Sequence, residues 1–416
     1  MKIKKCFMKV LEFPNYITID SVKGLNRNRT GYGYMTIDIA TSLAKKGIEI
    51  ELLTQSYITK EINYQNVKIL RRTWKDLFKN LKLRHFFETI KILYTYPPRL
   101  LMIPKIFFYN ISMGYFEQIL RHNNYDIVHI HGIGYYTLPI IRVCEKLNIK
   151  YVVTLHGLNS FSDSTNISES GRKIEKDFII NAAANNISTT VISTGIRKTI
   201  MNFLSIKDSQ NFQVITNSFH INNSNKKRFN LRRQYRIDES AKIMLSIGNI
   251  GRRKNQIQII RAFNKLPLEE KQNLFILFCG YDSKESGFKE EINKLELSSH
   301  LIYCGDIPKD ELTGFYQQSD FVILASISEG FGLSLIEGFS FGLPCITFSD
   351  LDAVEDIFHS DAVLLLKERT DEALAQGIME FVSKSWDKEK IKIHSKKFTM
   401  AKMATNYINY FKHLIA

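Results

Sequence analysis

Short apolar runs bounded by turn residues alternate along this chain with longer stretches whose apolar positions recur every three or four residues. Strand and helix periods in alternation predict parallel sheets covered by helices. The first run, residues 9–13, leads into a polar loop from Ser21 to Gly33 that carries Gly24, Arg27, Arg29, Gly31 and Gly33. An amphipathic pattern from Met35 follows, Gly47 closes it, and residues 48–53 form the next strand. This is a β-loop-α-β unit with a flexible basic loop at a strand's carboxyl end. Residues 126–131 and 151–157 predict buried, adjacent parallel strands, joined by a helix from about 136 to 145, and 189–193 and 212–217 add two more. His220 to Asp238 is polar and lacks apolar periodicity, as an interdomain linker with a short helix would be. A second series of strands is expected at 242–248, 274–280, 301–305, 321–325 and 344–348. The spacing of Ala404, Tyr407, Ile408, Tyr410, Phe411 and Leu414 makes the end of the chain an amphipathic helix.

With 416 residues the chain has room for two α/β domains, each with its own core. Hydrophobic residues make up 44% and charged residues 24%, which excludes a disordered or fibrous protein. The basic start is followed by an apolar stretch broken by Lys9, Glu12, Pro14 and Asn15, so neither a secretory signal nor a membrane span is expected. Five cysteines, Cys6, Cys144, Cys279, Cys304 and Cys345, are scattered and mostly inside apolar runs, as reduced thiols of a cytoplasmic protein would be. His129 and His131 alternate along an apparent strand and are expected on opposite sides of it. That leaves no zinc ligand set, and no metal site is expected.

The net charge of +15 admits nucleic acid, a membrane surface or an anionic substrate as partner. Between Val67 and Arg121 eleven Lys or Arg stand against three acids, interleaved with Trp74, Phe78, Phe86, Phe87, Tyr94, Tyr96, Phe107 and Phe108. Basic and aromatic residues at helix spacing describe a helix lying on an anionic bilayer, although a core-packing helix with a solvated basic face carries the same stripe. No nucleic-acid module accompanies the charge, so no nucleic-acid partner is expected.

The densest chemistry lies at Glu329-Gly330-Phe331-Gly332-Leu333-Ser334-Leu335-Ile336-Glu337, entered from the run 321–325. Strand, tight loop and helix follow one another here. Gly330 and Gly332 let backbone approach a ligand, and the N–H groups of a helix beginning near Gly332 point at an anion such as a diphosphate. Glu337, in the second turn, can accept hydrogen bonds from neighbouring sugar hydroxyls, and Glu329 stands in the loop mouth. A phosphate cradle between two hydroxyl-binding acids suits a sugar nucleotide. With the continuation Gly338-Phe339-Ser340-Phe341-Gly342-Leu343-Pro344, the segment resembles the retaining glycosyltransferases of family 4, also called group 1.

That resemblance implies an α/β protein of two Rossmann-like, doubly wound domains facing across a cleft, the GT-B fold. Its parts would be an acceptor-binding domain at 1–218, a linker at 219–238, a nucleotide-sugar domain at 239–395, and a terminal helix at 396–416 crossing back to the first domain. It implies Lys254 as the cation on the leaving diphosphate, with Gly248 and Asn249 beside it; Asn249 stands where the family has arginine, and Arg252 or Arg253 are its candidate substitutes. His156 would lie beside the transferred sugar, Glu329 would hold the sugar and Glu337 the ribose. Donor-binding backbone and side chains would come from Gly330, Phe331, Gly332, Leu333, Ser334 and Gly280. Ile302 to Phe315 would line the base pocket, Gly31 and Gly33 would lie near the donor phosphate or the acceptor, Asn217-Ser218-Phe219-His220 would form an altered hinge, and Glu355 matches a later acid with no role assigned.

The implied reaction is transfer of a sugar, with retention, from a nucleoside diphosphate sugar of UDP or GDP type to a hydroxyl of a glycan or lipid-linked glycan in bacterial surface polysaccharide synthesis. No cofactor or metal would be required, domain closure would exclude water, and the expected location is the cytoplasm, peripheral on the inner face of the membrane. A non-catalytic GT-B scaffold or nucleotide-binding subunit, a sugar-nucleotide epimerase and a basic nucleic-acid binder are the alternatives; the first would suit the departures at Asn249 and Ser218.

Overall fold

A computed structural model describes residues 8–26, 29–111, 113–165, 167–219, 230–282 and 286–416. Cys6, Arg27, His220 and half of the expected linker, 220–229, lie outside these residues. Two compact units are formed, one by the described residues up to Thr216 together with Met400–Ala416, the other by Asn217–Thr399.

The first unit is built on eight strands: β1 Lys9–Pro14, β2 Glu49–Leu52, β3 Ile62–Tyr64, β4 Val67–Ile69, β5 Ile127–His131, β6 Tyr151–Leu155, β7 Thr189–Val191 and β8 Phe212–Val214. Their order is β3-β4-β2-β1-β5-β6-β7-β8, parallel except for the β3–β4 hairpin. The order reverses between β1 and β5, so the sheet opens a crevice past the carboxyl ends of those two strands. The hairpin was absent from the expected elements. Its strands are three residues long and no residue of β3 is fully buried, which leaves little apolar signal.

The Gly31–Lys45 helix begins earlier than the sequence pattern suggests. Thr30 caps it by accepting from the Gly33 N–H, so Gly31 and Gly33 lie in its first turn and not in a loop. Glycine disfavours helix, but Gly33 is required by packing: a Cβ there would fall 2.2 Å from Thr18 Oγ1. The terminal helix Met400–Ile415 belongs to this unit and buries Tyr407 and Phe411 over the sheet.

Six parallel strands form the second unit: β9 Lys242–Ile247, β10 Leu274–Cys279, β11 Leu301–Gly305, β12 Phe321–Leu324, β13 Cys345–Phe348 and β14 Val363–Leu366. The order β11-β10-β9-β12-β13-β14 places the switch between β9 and β12. Strand β14 was not expected; its short apolar run carries no periodicity that separates strand from helix. Ile276, Phe278, Ile323, Ile346 and Phe381 are among the buried residues of its core. No helix among the described residues is long and apolar enough to cross a membrane.

Candidate active site

In the second unit the chemistry gathers at the switch between β9 and β12. Gly248 follows β9, and Lys254 folds back over it so closely that a Cβ on Gly248 would lie 2.7 Å from Lys254 Cε. Lys254 Nζ meets Glu329 Oε1 at 2.6 Å, and Ser326 Oγ donates to the same oxygen at 2.7 Å. Burial pushes Lys254 below the ordinary ammonium range despite Glu329 beside it. Burial also raises Glu329, but Lys254 and Arg253 outweigh it and hold the carboxyl below its ordinary range. Arg369 braces the loop by donating to the Ser326 carbonyl at 2.8 Å while paired with Asp350. Asn249, Arg252 and Arg253 are exposed.

Gly330 and Phe331 complete the loop, with Phe331 buried against Phe398. Gly332, at φ +76°, is the left-handed residue that caps the Leu333–Ser340 helix. The N–H groups of Leu333 and Ser334 have no partner among the described residues, and the buried Ser334 hydroxyl likewise has none. These donors stand at the positive end of a helix, as an anion site requires. Glu337 accepts from the Tyr316 hydroxyl at 2.8 Å, and Tyr316 is stacked on Phe341. Gly280 touches this wall: a Cβ would fall 2.1 Å from the Gly248 carbonyl. Ser326, Tyr316 and Arg369 had no individual assignment in the sequence reading. Glu355 is exposed on a short helix.

A separate polar cluster occupies the first unit. His129 and His131 are two residues apart and share one face of β5, because strand side chains alternate with a period of two; the expected opposite placement was wrong. Their rings lie 4.2 Å apart between centroids. Register sets Glu12 beside His129, and Glu12 Oε2 lies 2.9 Å from His129 Nδ1 and 2.6 Å from His131 Nε2. All three side chains are 0% exposed and could in principle hold a metal ion, a grouping the sequence reading excluded. Glu12 Oε1 and His129 Nδ1 have no hydrogen-bond partner among the described residues. Burial raises the Glu12 carboxyl, but His129 and His131 hold it at about 2, while burial and His129 push His131 down to about 4.

His156, just past β6, bonds through Nε2 to His131 Nδ1 at 2.9 Å. Burial, His131 and His129 hold it well below its ordinary range. Tyr32, which lies between Gly31 and Gly33, sets its ring edge-on to His156 at 5.2 Å; its hydroxyl accepts from the Asn15 N–H and donates to the His131 carbonyl. The sequence reading missed Tyr32, although it stands inside the singled-out segment.

The Leu83–Thr95 helix turns its apolar face outward. His85, Thr89 and Ile92 are buried, whereas Leu83, Phe86, Phe87, Ile90 and Tyr94 are exposed, Tyr94 at 89%. Leu100 and Leu101 continue the stripe, with Leu101 94% exposed. Glu117, with a side chain 1% exposed, draws Arg84, Arg121 and Lys82 together beneath it.

Two doubly wound α/β units in one chain are the architecture of the GT-B fold. A glycosyltransferase from Rickettsia africae superposes over 99% of both chains at TM-score 0.71 and 18% identity. The Anabaena protein HepE, in complex with UDP and glucose, covers 98% of this chain and 100% of its own at TM-score 0.65 and 15% identity. Residues 30–218 match Glycosyltransferase Family 4, and residues 227–398 match Glycosyl transferases group 1. The chain belongs to this glycosyltransferase family and is a transferase. N-acetyl-alpha-D-glucosaminyl L-malate synthase of Bacillus anthracis is 23% identical over 80% of this chain and 79% of its own length. An O-antigen biosynthesis glycosyltransferase of Escherichia coli is 24% identical over 45% of this chain and 51% of its own length.

Proposed function

We propose that this protein is a retaining glycosyltransferase that moves a sugar from a nucleoside diphosphate sugar, of UDP or GDP type, to a hydroxyl of a glycan or lipid-linked glycan in bacterial surface polysaccharide synthesis. The observation that carries the reading is the buried Lys254–Glu329 pair beside unpartnered donors at the start of the Leu333–Ser340 helix, with Glu337 one turn further on. Without donor, Lys254 and Glu329 neutralise one another. Donor entry splits them: the diphosphate takes Lys254 and the helix N–H groups, and a sugar hydroxyl takes Glu329. Charge developing on the leaving diphosphate then meets a preorganised cation and dipole, which stabilises the transition state more than the ground state. Glu337 holds the ribose, and His156 hydrogen-bonds the sugar or polarises the reacting centre. No cofactor is needed if these groups carry the diphosphate.

The outward apolar stripe of Leu83–Thr95, flanked by Lys75, Lys82, Lys91 and Arg99, supports peripheral docking on an anionic lipid surface, where a lipid-linked acceptor is presented. The O-antigen relative supports the polysaccharide role.

Thermal-shift and calorimetric titration with UDP, GDP, ADP and their common sugars, without divalent metal and repeated on Glu337→Ala, tests the donor reading. Saturable binding of one nucleotide, weakened by the substitution, is expected; no binding to any of them would sink it.

A further inference from the structure

We propose that Glu12 and His131 are positioning residues that fix the proton of His156 on Nε2, leaving His156 Nδ1 as a bare acceptor that takes a hydroxyl of the sugar and cannot donate to a phosphate. Three neighbouring strands supply the relay. Glu12 lies on β1, His131 ends β5 and His156 follows β6, with β5 paired to both neighbours in parallel register. Glu12 Oε2 lies 2.6 Å from His131 Nε2, and His131 Nδ1 lies 2.9 Å from His156 Nε2.

Donor and acceptor bookkeeping then settles the protons. A carboxylate only accepts, so His131 carries its proton on Nε2. In an uncharged imidazole the other nitrogen is then a lone pair, so the hydrogen bond at His131 Nδ1 is donated by His156 Nε2. His156 Nδ1 has no partner among the described residues, and Tyr32 holds the ring edge-on. Glu12 is itself held, because His129 flanks the same carboxylate oxygen and is bonded through Nε2 to Thr154 Oγ1 at 2.6 Å.

A metal ion is the competing occupant of Glu12, His129 and His131, whose ligand atoms lie within 4.8 Å of one another. Two ligands of tetrahedral zinc, at bonds of about 2.0 Å, stand roughly 3.3 Å apart. Glu12 Oε2 and His131 Nε2 are closer than that and bond directly.

The proposal rests on the role given to His156 above, but the position of the proton can be read without any activity. Nitrogen NMR of the full chain carrying ¹⁵N-histidine, with His156 assigned from the spectrum of His156→Gln, is expected to show a protonated Nε2 and an unprotonated Nδ1. Glu12→Gln, whose amide can donate as well as accept, is expected to mix or reverse that assignment and to lower kcat/KM for the donor tenfold or more. A proton on His156 Nδ1 in the unaltered protein overturns the proposal whether or not the variant folds. So does an unchanged tautomer in a folded Glu12→Gln, or one equivalent of zinc in the isolated protein. Absent turnover with the expected tautomer would instead count against the functional reading.

Discussion

Lys254 and Glu329 form a buried ion pair whose two members have different work once donor arrives. Removing Glu329 therefore does two opposite things. Glu329→Ala is expected to lower turnover about a hundredfold or more, as loss of a preorganised polar group does, while nucleoside diphosphate alone binds at least as tightly because Lys254 is released. Steady-state kinetics beside calorimetry with UDP and GDP separates the two effects. Glu337→Ala is expected to weaken donor binding by about 1.5–3 kcal/mol with little change in kcat, since a hydrogen bond to a carboxylate is lost in ground and transition state alike.

Glu117 gives the residue scale a pH dependence. Burial raises its carboxyl, but Arg121 and Arg84 hold it at about 2 against an ordinary 4.5. A group lowered by folding adds stability that is complete above its unfolded value and is lost as pH falls through the folded one. Thermal stability of the first unit is thus expected to fall between about pH 4.5 and 2, and Glu117→Gln is expected to flatten that slope; an unaltered slope would contradict the account.

Elements show where neighbours override propensity. The Leu83–Thr95 helix keeps His85 and Thr89 inside and five large apolar residues outside, the reverse of a core-packing helix. Because those side chains are exposed, Phe87→Glu with Leu101→Glu should leave the melting temperature unchanged yet reduce co-sedimentation with anionic liposomes tenfold or more at low salt. Equal sedimentation would exclude this face as the lipid contact. At the strand ends, Gly280→Ala forces a Cβ against the Gly248 carbonyl, a backbone atom that cannot swing aside. A loss of about 1–3 kcal/mol in the second unit, measured by denaturant unfolding, is expected together with weaker nucleotide binding.

For the molecule as a whole, the chain's last helix completes its first unit. Tyr407 and Phe411 pack their rings on His129 and are fully buried. Removing Met400–Ala416 deletes both rings and uncovers His129, and with it the Glu12–His129–His131 cluster. At roughly 3–5 kcal/mol for each large buried aromatic lost, the first unit should unfold or exchange its β5 and β6 amides freely, while the second keeps its protection. Hydrogen exchange resolves the two units separately.

The sequence by itself determined the two α/β units, most of their strands and the Glu329–Glu337 segment, because buried parallel strands are continuous apolar runs and a glycine-bracketed strand–helix turn is local. Short or exposed pieces such as β3, β4 and β14 left too little signal. Only the tertiary structure decided which distant groups meet. Lys254 and Glu329 are paired by adjacent β9 and β12, and Glu12, His131 and His156 are joined across β1, β5 and β6. Residue 33, inside the first turn of the Gly31–Lys45 helix, is glycine because Thr18 leaves no room for a side chain, and the outward face of Leu83–Thr95 follows from what packs beneath it. Local periodicity encodes elements; contacts between residues far apart in sequence, and the proton positions those contacts impose, exist only once the sheets have formed.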